Sequence, residues 1–315
     1  MSLAVSRAEV EAAYVRIRDR VRRTPLFTLE PRAFGLDGSI QLKLEFLQHT
    51  GSFKPRGVFN RMLAGPIPPA GVIAASGGNH GAAVAYAAAR LGVPAEIFVP
   101  TIAAPAKVER IRHYGAKLTV VGADYAETLA ISRQRAQESG ALVVHAYDQR
   151  ETIAGQGTVG LEVEQQGGVP DTALVAVGGG GLIAGMMAWF GTRCRVVAVE
   201  PERAPTLSAA LSAGHPVDVD VGGVAADSLG ARRIGDHVFA TCRSLVAESV
   251  LVSDEAIVDA QQALWDELRI AAEPGGSTAM AALLAGKYRP RPGERVVAVL
   301  CGANTETAHI RRPGS

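Results

Sequence analysis

Four short stretches carry residues whose types and spacing reach beyond packing. The first, Thr50-Gly51-Ser52-Phe53-Lys54-Pro55-Arg56-Gly57, puts a lysine between a strand-like run containing Lys43 and a helix whose first position suits Pro55. A lysine held at such a junction and kept partly dry loses proton affinity, because desolvation disfavours the ammonium. The neutral amine that results is the nucleophile a Schiff base requires. The same stretch also fits a solvated lysine at a helix start. Only five lysines occur among 32 basic residues (Lys43, Lys54, Lys107, Lys117 and Lys287), so amine chemistry has few candidates.

The second stretch, Ser76-Gly77-Gly78-Asn79-His80-Gly81, lies between a strand pattern and a helix of small residues. Backbone N–H groups converge on an anion at such a place, and Ser76 and Asn79 add side-chain donors for a carboxylate. A plain glycine turn with Ser76 as helix cap is the alternative, with His80 structural. The third, Gly178-Gly179-Gly180-Gly181-Leu182, follows the apolar run 173–177 and can wrap a phosphate at a helix N-terminus. It is neither GxGxxG nor a P-loop, which speaks against NAD and ATP. The fourth, Leu300-Cys301-Gly302-Ala303-Asn304, ends the last strand pattern and places Cys301 either against a ligand or in the core.

These stretches must be positioned by a repeating framework. Apolar β-branched runs at 40–44, 71–75, 95–99, 117–121, 142–145, 173–177, 195–199, 249–252 and 295–300 alternate with helical patterns, the signature of parallel βαβ units. Helices are expected at 6–21, 81–91, 105–114, 125–139 and 253–268, with Ser6 and Ser253 as caps. Turns are expected at 66–71, 167–170 and 289–293, where proline and glycine cluster.

With 48% hydrophobic and 20% charged residues and a net charge of +1, the composition is globular and carries no basic footprint for nucleic acid. Three widely spaced cysteines exclude CxxC and zinc-ribbon motifs and fit a reducing compartment. No apolar run approaches the ~20 residues that span a bilayer, and acids in the N-terminal helix argue against a targeting peptide. A cytoplasmic protein is expected.

Taken in order and spacing, the four stretches resemble the serine/threonine dehydratase family of fold-type-II pyridoxal-5′-phosphate (PLP) enzymes, which includes serine racemase. The similarity runs from Thr24-Pro25-Leu26 to Asn304 and includes Ala154-Gly155-Gln156-Gly157-Thr158 and Val199-Glu200-Pro201. It implies a tryptophan synthase β-like α/β fold of two three-layer domains with mostly parallel sheets. Residues 1–69 and 149–315 would form the large PLP-binding domain, and 70–148 a smaller, inserted, mobile one. The resemblance makes Lys54 the Schiff-base lysine and the base at Cα. Phe53, Asn79, Gly178 to Leu182 and Cys301 would bind the cofactor, with Cys301 facing the pyridine nitrogen. Ser76 to His80, Asp227 and Ser228 would border the substrate. The implied reaction is α,β-elimination of a β-hydroxy amino acid such as L-threonine or L-serine to a 2-oxo acid and ammonia, in a homodimer, with the cofactor phosphate as the acid.

Departures from the family pattern sharpen this. Racemases carry a serine where this chain has Gly77, so elimination without efficient racemisation is expected. Several members bind Mg²⁺ or Ca²⁺ through a glutamate, a carbonyl and an aspartate; Glu200 and Ala204 take the first two positions, but the third is Thr206. Ser228 replaces a commoner glycine, which leaves 3-hydroxyaspartate, phenylserine and compatible-solute catabolites open as substrates. The chain's end just past the catalytic region argues against feedback control by isoleucine. Serine racemase, a β-replacing cysteine synthase, a catalytically idle PLP-binding protein and a dehydrogenase are the competing readings.

Overall fold

Strands that are apolar at every position need cover on both faces, and here they form parallel sheets sandwiched by helices. The structure, a computed structural model, describes residues 3–101, 105–123 and 125–306. Its strands are β1 (Leu26–Thr28), β2 (Ser39–Lys43), β3 (Val72–Ala75), β4 (Ala95–Val99), β5 (Lys117–Val120), β6 (Leu142–Val143), β7 (Thr172–Ala176), β8 (Arg195–Pro201), β9 (Val246–Val252) and β10 (Arg295–Val299). The helices are α1 (Arg7–Ile17), α2 (Lys54–Leu63), α3 (Asn79–Leu91), α4 (Pro105–His113), α5 (Tyr125–Ser139), α6 (Arg150–Gly167), α7 (Gly181–Phe190), α8 (Thr206–Ala213), α9 (Ala226–Leu229), α10 (Asp236–Leu245), α11 (Asp254–Leu268) and α12 (Pro274–Leu284).

Six strands form one sheet in the order β1-β2-β10-β7-β8-β9, and four form a second in the order β5-β4-β3-β6. Every strand pairing is parallel except that of β1 with β2. All nine expected strands are present, displaced by at most three residues at an end. β1 is the addition; three residues with two exposed show no alternation to read. The two anticipated serine caps form: Ser6 makes a capping box with Glu9, and the Ser253 hydroxyl accepts from the Ala256 N–H. Among the described residues, no helix is long and apolar enough to cross a membrane.

Propensity does not announce α6, whose Ala154-Gly155-Gln156-Gly157-Thr158 stretch is a poor helix former. Tertiary packing makes it helical. A Cβ at Gly155 would meet the Arg56 carbonyl at 2.5 Å, and one at Gly157 would meet the Gly185 carbonyl at 2.7 Å. The two glycines therefore let α2 and α7 press backbone to backbone on α6, setting the distance between Lys54 and the 178–181 loop.

A buried charge quartet locks the same region. Arg56, two residues beyond Lys54, donates to Glu45 at 2.8 Å through Nε and to Glu162 at 2.8 Å through Nη1. Lys43 Nζ bonds Glu162 at 2.8 Å and the Thr24 carbonyl at 2.8 Å. All four charged side chains are shielded from solvent. Burial pushes Lys43 down, while Arg56 is held charged because its two carboxylates outweigh desolvation. Removing one member strands an unpaired buried charge. Arg56→Met should thus cost about 3–5 kcal/mol, read as a lower denaturant midpoint in urea unfolding.

Candidate active site

The carboxyl ends of parallel strands gather ligands, and here β3, β7 and β10 end around the start of α2. A cavity of about 390 Å³ is lined by Lys54, the whole 76–80 loop, Tyr147, Gly179, Asp227 and Ser228, among others. Lys54 and Ser228, far apart in the chain, are joined here by the tertiary fold. A larger cavity, about 1190 Å³ beside Trp265, is lined by none of these residues.

Lys54 opens α2, with Phe53 before it and Pro55 in the first turn, as expected. Its Nζ donates to the Ala146 carbonyl at 3.1 Å and lies 5.0 Å from the Phe53 ring. Burial lowers its pKa to about 8, against a smaller upward pull from Cys301 and Glu273. A usable fraction of the amine, far more than for an ordinary lysine, is therefore neutral near physiological pH, the state a nucleophile or base needs.

In the second stretch, the Ser76 hydroxyl accepts from the Gly78 N–H at 3.2 Å, which folds the turn and leaves the hydroxyl hydrogen to donate. The His80 ring lies behind the loop. Its Nε2 sits 2.8 Å from the Val144 carbonyl and must carry the proton, since a carbonyl only accepts. Burial and the Lys54 charge lower its pKa to about 3, so the ring is neutral and no cation for a carboxylate. Its Nδ1 is buried with no protein partner. Asn79 is clamped on both sides: Nδ2 donates to Glu273 at 2.7 Å, and Oδ1 accepts from Asn304 at 2.5 Å.

The glycine loop leaves β7 and enters α7, whose N-terminus has no side-chain cap. Gly180 has φ +83, and a Cβ at Gly179 would stand 2.2 Å from the Tyr147 ring. Gly181 and Leu182 are buried in the first turn of α7. Cys301 is buried past β10, its Sγ 3.3 Å from the Gly275 carbonyl, and burial pushes the thiol well up, so it is neutral. Ser228 accepts from the Gly275 N–H at 3.1 Å; its hydroxyl is engaged at the start of α12 while its side chain borders the cavity.

The pyridoxal-phosphate dependent enzyme family matches residues 17–302. The chain belongs to that family. A phenylserine dehydratase of Ralstonia pickettii is 38% identical over 94% of this chain and 92% of its own. An L-threonine ammonia-lyase of Geobacter sulfurreducens is 39% identical over 96% of this chain and 76% of its own. Maize serine racemase superposes with a TM-score of 0.90 at 32% identity, covering 97% of this chain and 95% of that one. The dehydratase resemblance and the fold class are borne out, and this enzyme uses PLP.

The residues present fit that cofactor. A lysine amine tuned to about 8, a glycine loop packed too closely on its neighbours to admit any Cβ and an uncapped helix N-terminus match an aldehyde and a phosphate. They do not fit the divalent cation. Glu200 accepts from the Leu207 and Ser208 N–H groups at 2.7 and 2.8 Å and from the Ser249 hydroxyl at 3.2 Å. The two N–H donors are the positive end of α8, which repels a cation. Thr206 brings a hydroxyl where a cation wants a second carboxylate. Among the described residues, no group of three metal-ligating side chains exists.

Sequence reasoning missed Glu273, Tyr147, Tyr125 and the Ala146 carbonyl, all at or beside the cavity. Glu273 had one local signal, a proline after it to start a helix; the others had none. Extended dialysis against a chelator should leave turnover unchanged, and a loss restored by Mg²⁺ or Ca²⁺ would show that Glu200 does hold a metal.

Proposed function

We propose that this enzyme is an ammonia-lyase that eliminates water from a β-hydroxy amino acid, giving a 2-oxo acid and ammonia. The observation that carries the reading is the tuned Lys54 amine facing the 76–80 loop across one cavity. The names of the R. pickettii and G. sulfurreducens relatives support it.

When bound, PLP supplies the electron sink for the charge left at Cα. Lys54 would hold the cofactor covalently, and its Nζ, when free and neutral, would take the Cα proton. Ser76 and the N–H groups of Gly77, Asn79 and His80 would hold the substrate carboxylate, with Gly78 fixing the turn through Ser76. Asn79, its amide fixed by Glu273 and Asn304, would border the cofactor ring. Gly178 to Leu182 would hold the phosphate, and the neutral Cys301 would face the pyridine nitrogen. Asp227 and Ser228 border the β-substituent.

Gly77 offers no side-chain proton on the face opposite Lys54, so elimination is favoured over racemisation. We take 1–69 and 149–315 as the large domain and 70–148 as the small one, which closes on the cavity lined from both sides. Within the class, Tyr125, Tyr147 and Pro100 on the wall favour a β-substituent bulkier than a methyl group. The enzyme is taken to act as a cytoplasmic homodimer; its buried free cysteines suit a reducing compartment.

Ammonia and 2-oxo acid should be released from at least one of L-serine, L-threonine, 3-hydroxyaspartate and phenylserine, with no accumulation of D-isomer. Lys54→Ala should abolish both turnover and the visible absorbance of lysine-bound cofactor. Absorbance without ammonia from any substrate would leave an idle PLP-binding protein instead. The covalent capture rate of PLP by the stripped protein should rise with pH around a midpoint near 8, because only the neutral amine attacks. An ordinary lysine would place that midpoint above about 10.

A further inference from the structure

The buried carboxylate of Glu200 has no part in the chemistry above, yet its bonds lead back to the glycine loop. Glu200 stands near the end of β8, beside the point where β7 gives way to the loop: Ala176 pairs with Val199, and the Val177 N–H donates to the Val199 carbonyl at 2.9 Å. Its oxygens seat the first turn of α8 through Leu207 and Ser208. Seated with that turn is Thr206, whose hydroxyl lies 3.2 Å from Glu200 Oε1 and donates to the Gly178 carbonyl at 2.7 Å. Glu200 and Thr206 are both fully buried.

A peptide group is planar and trans, so the N–H of Gly179 points opposite to the C=O of Gly178. With that carbonyl held from behind by Thr206, the N–H is aimed away from α8, on the side where Gly179 borders the Lys54 cavity. A glycine–glycine peptide has little intrinsic preference between its two faces. The orientation has to be imposed from outside the loop.

We propose that Thr206, seated by Glu200, is a positioning residue that locks the Gly178–Gly179 peptide and so aims the Gly179 N–H at the cofactor phosphate. This rests on the assignment of residues 178–181 to that phosphate.

The test compares the full chain with its T206V and T206S variants, each stripped and reconstituted with PLP or with pyridoxal, which lacks the phosphate. Binding is followed by visible absorbance. Valine keeps the shape of threonine and loses the hydroxyl; serine keeps the hydroxyl. T206V should bind PLP roughly tenfold more weakly, as loss of one buried hydrogen bond predicts, with its affinity for pyridoxal unchanged. T206S should restore PLP binding, and the ³¹P resonance of bound PLP should move in T206V alone. Undiminished PLP affinity in T206V overturns the lock, as does an equal loss for both ligands, which would mean general damage to the fold. A wild-type chain that binds PLP no better than pyridoxal removes the phosphate assignment and the lock with it. None of these readouts depends on whether the enzyme eliminates water, so failure here is separable from failure of the proposed reaction.

Discussion

Four charges with no access to water, Lys43, Glu45, Arg56 and Glu162, sit between β2, α2 and α6 and cancel one another in pairs. Each carries a desolvation cost that only its partners offset, so the geometry tolerates little displacement. Arg56 lies one helical turn's fraction from Lys54, and the register that satisfies its five donors also sets where the Lys54 amine emerges. The reactive lysine is thus aimed by an ion cluster that has no contact with the cavity.

The same economy of position governs the other side of the site. α6 touches α2 through Gly155 and α7 through Gly157, at distances no side chain would permit. It spaces the start of α2, which bears the amine, from the loop that enters α7, and Lys54 and Gly179 line the same cavity. Electrostatics then divide the labour. Burial lowers the Lys54 pKa to about 8, so that a neutral fraction is present near physiological pH, while the Cys301 thiol and the His80 ring are neutral. Lys54 is left as the basic group poised for proton transfer among these three.

Glu200 and Glu273 show how buried carboxylates can serve a site without reacting in it. Glu273 fixes the Asn79 amide, and Gly302 must lack a Cβ because one would lie 1.9 Å from the Glu273 carboxylate. Glu200 seats the turn that carries Thr206. Both act through donors they orient, and both are supplied by strand ends or helix starts whose positions are already set by the sheet.

Much of this was legible in the chain itself. Alternating apolar runs announced nine strands, because a parallel sheet covered on both faces demands unbroken Val, Ile and Leu. Glycine clusters and a rare lysine announced the junctions, because few residue types allow a backbone to approach an anion or an amine to stay dry. What the one-dimensional order could not contain was contact between segments: that Arg56 meets Glu162, that Glu273 grips Asn79, that Thr206 reaches the Gly178 carbonyl, or that a glycine-rich stretch becomes the helix α6. Those depend on which strands neighbour which, and the cost of burying charges and polar groups unpaired is felt only once the sheet has brought them together.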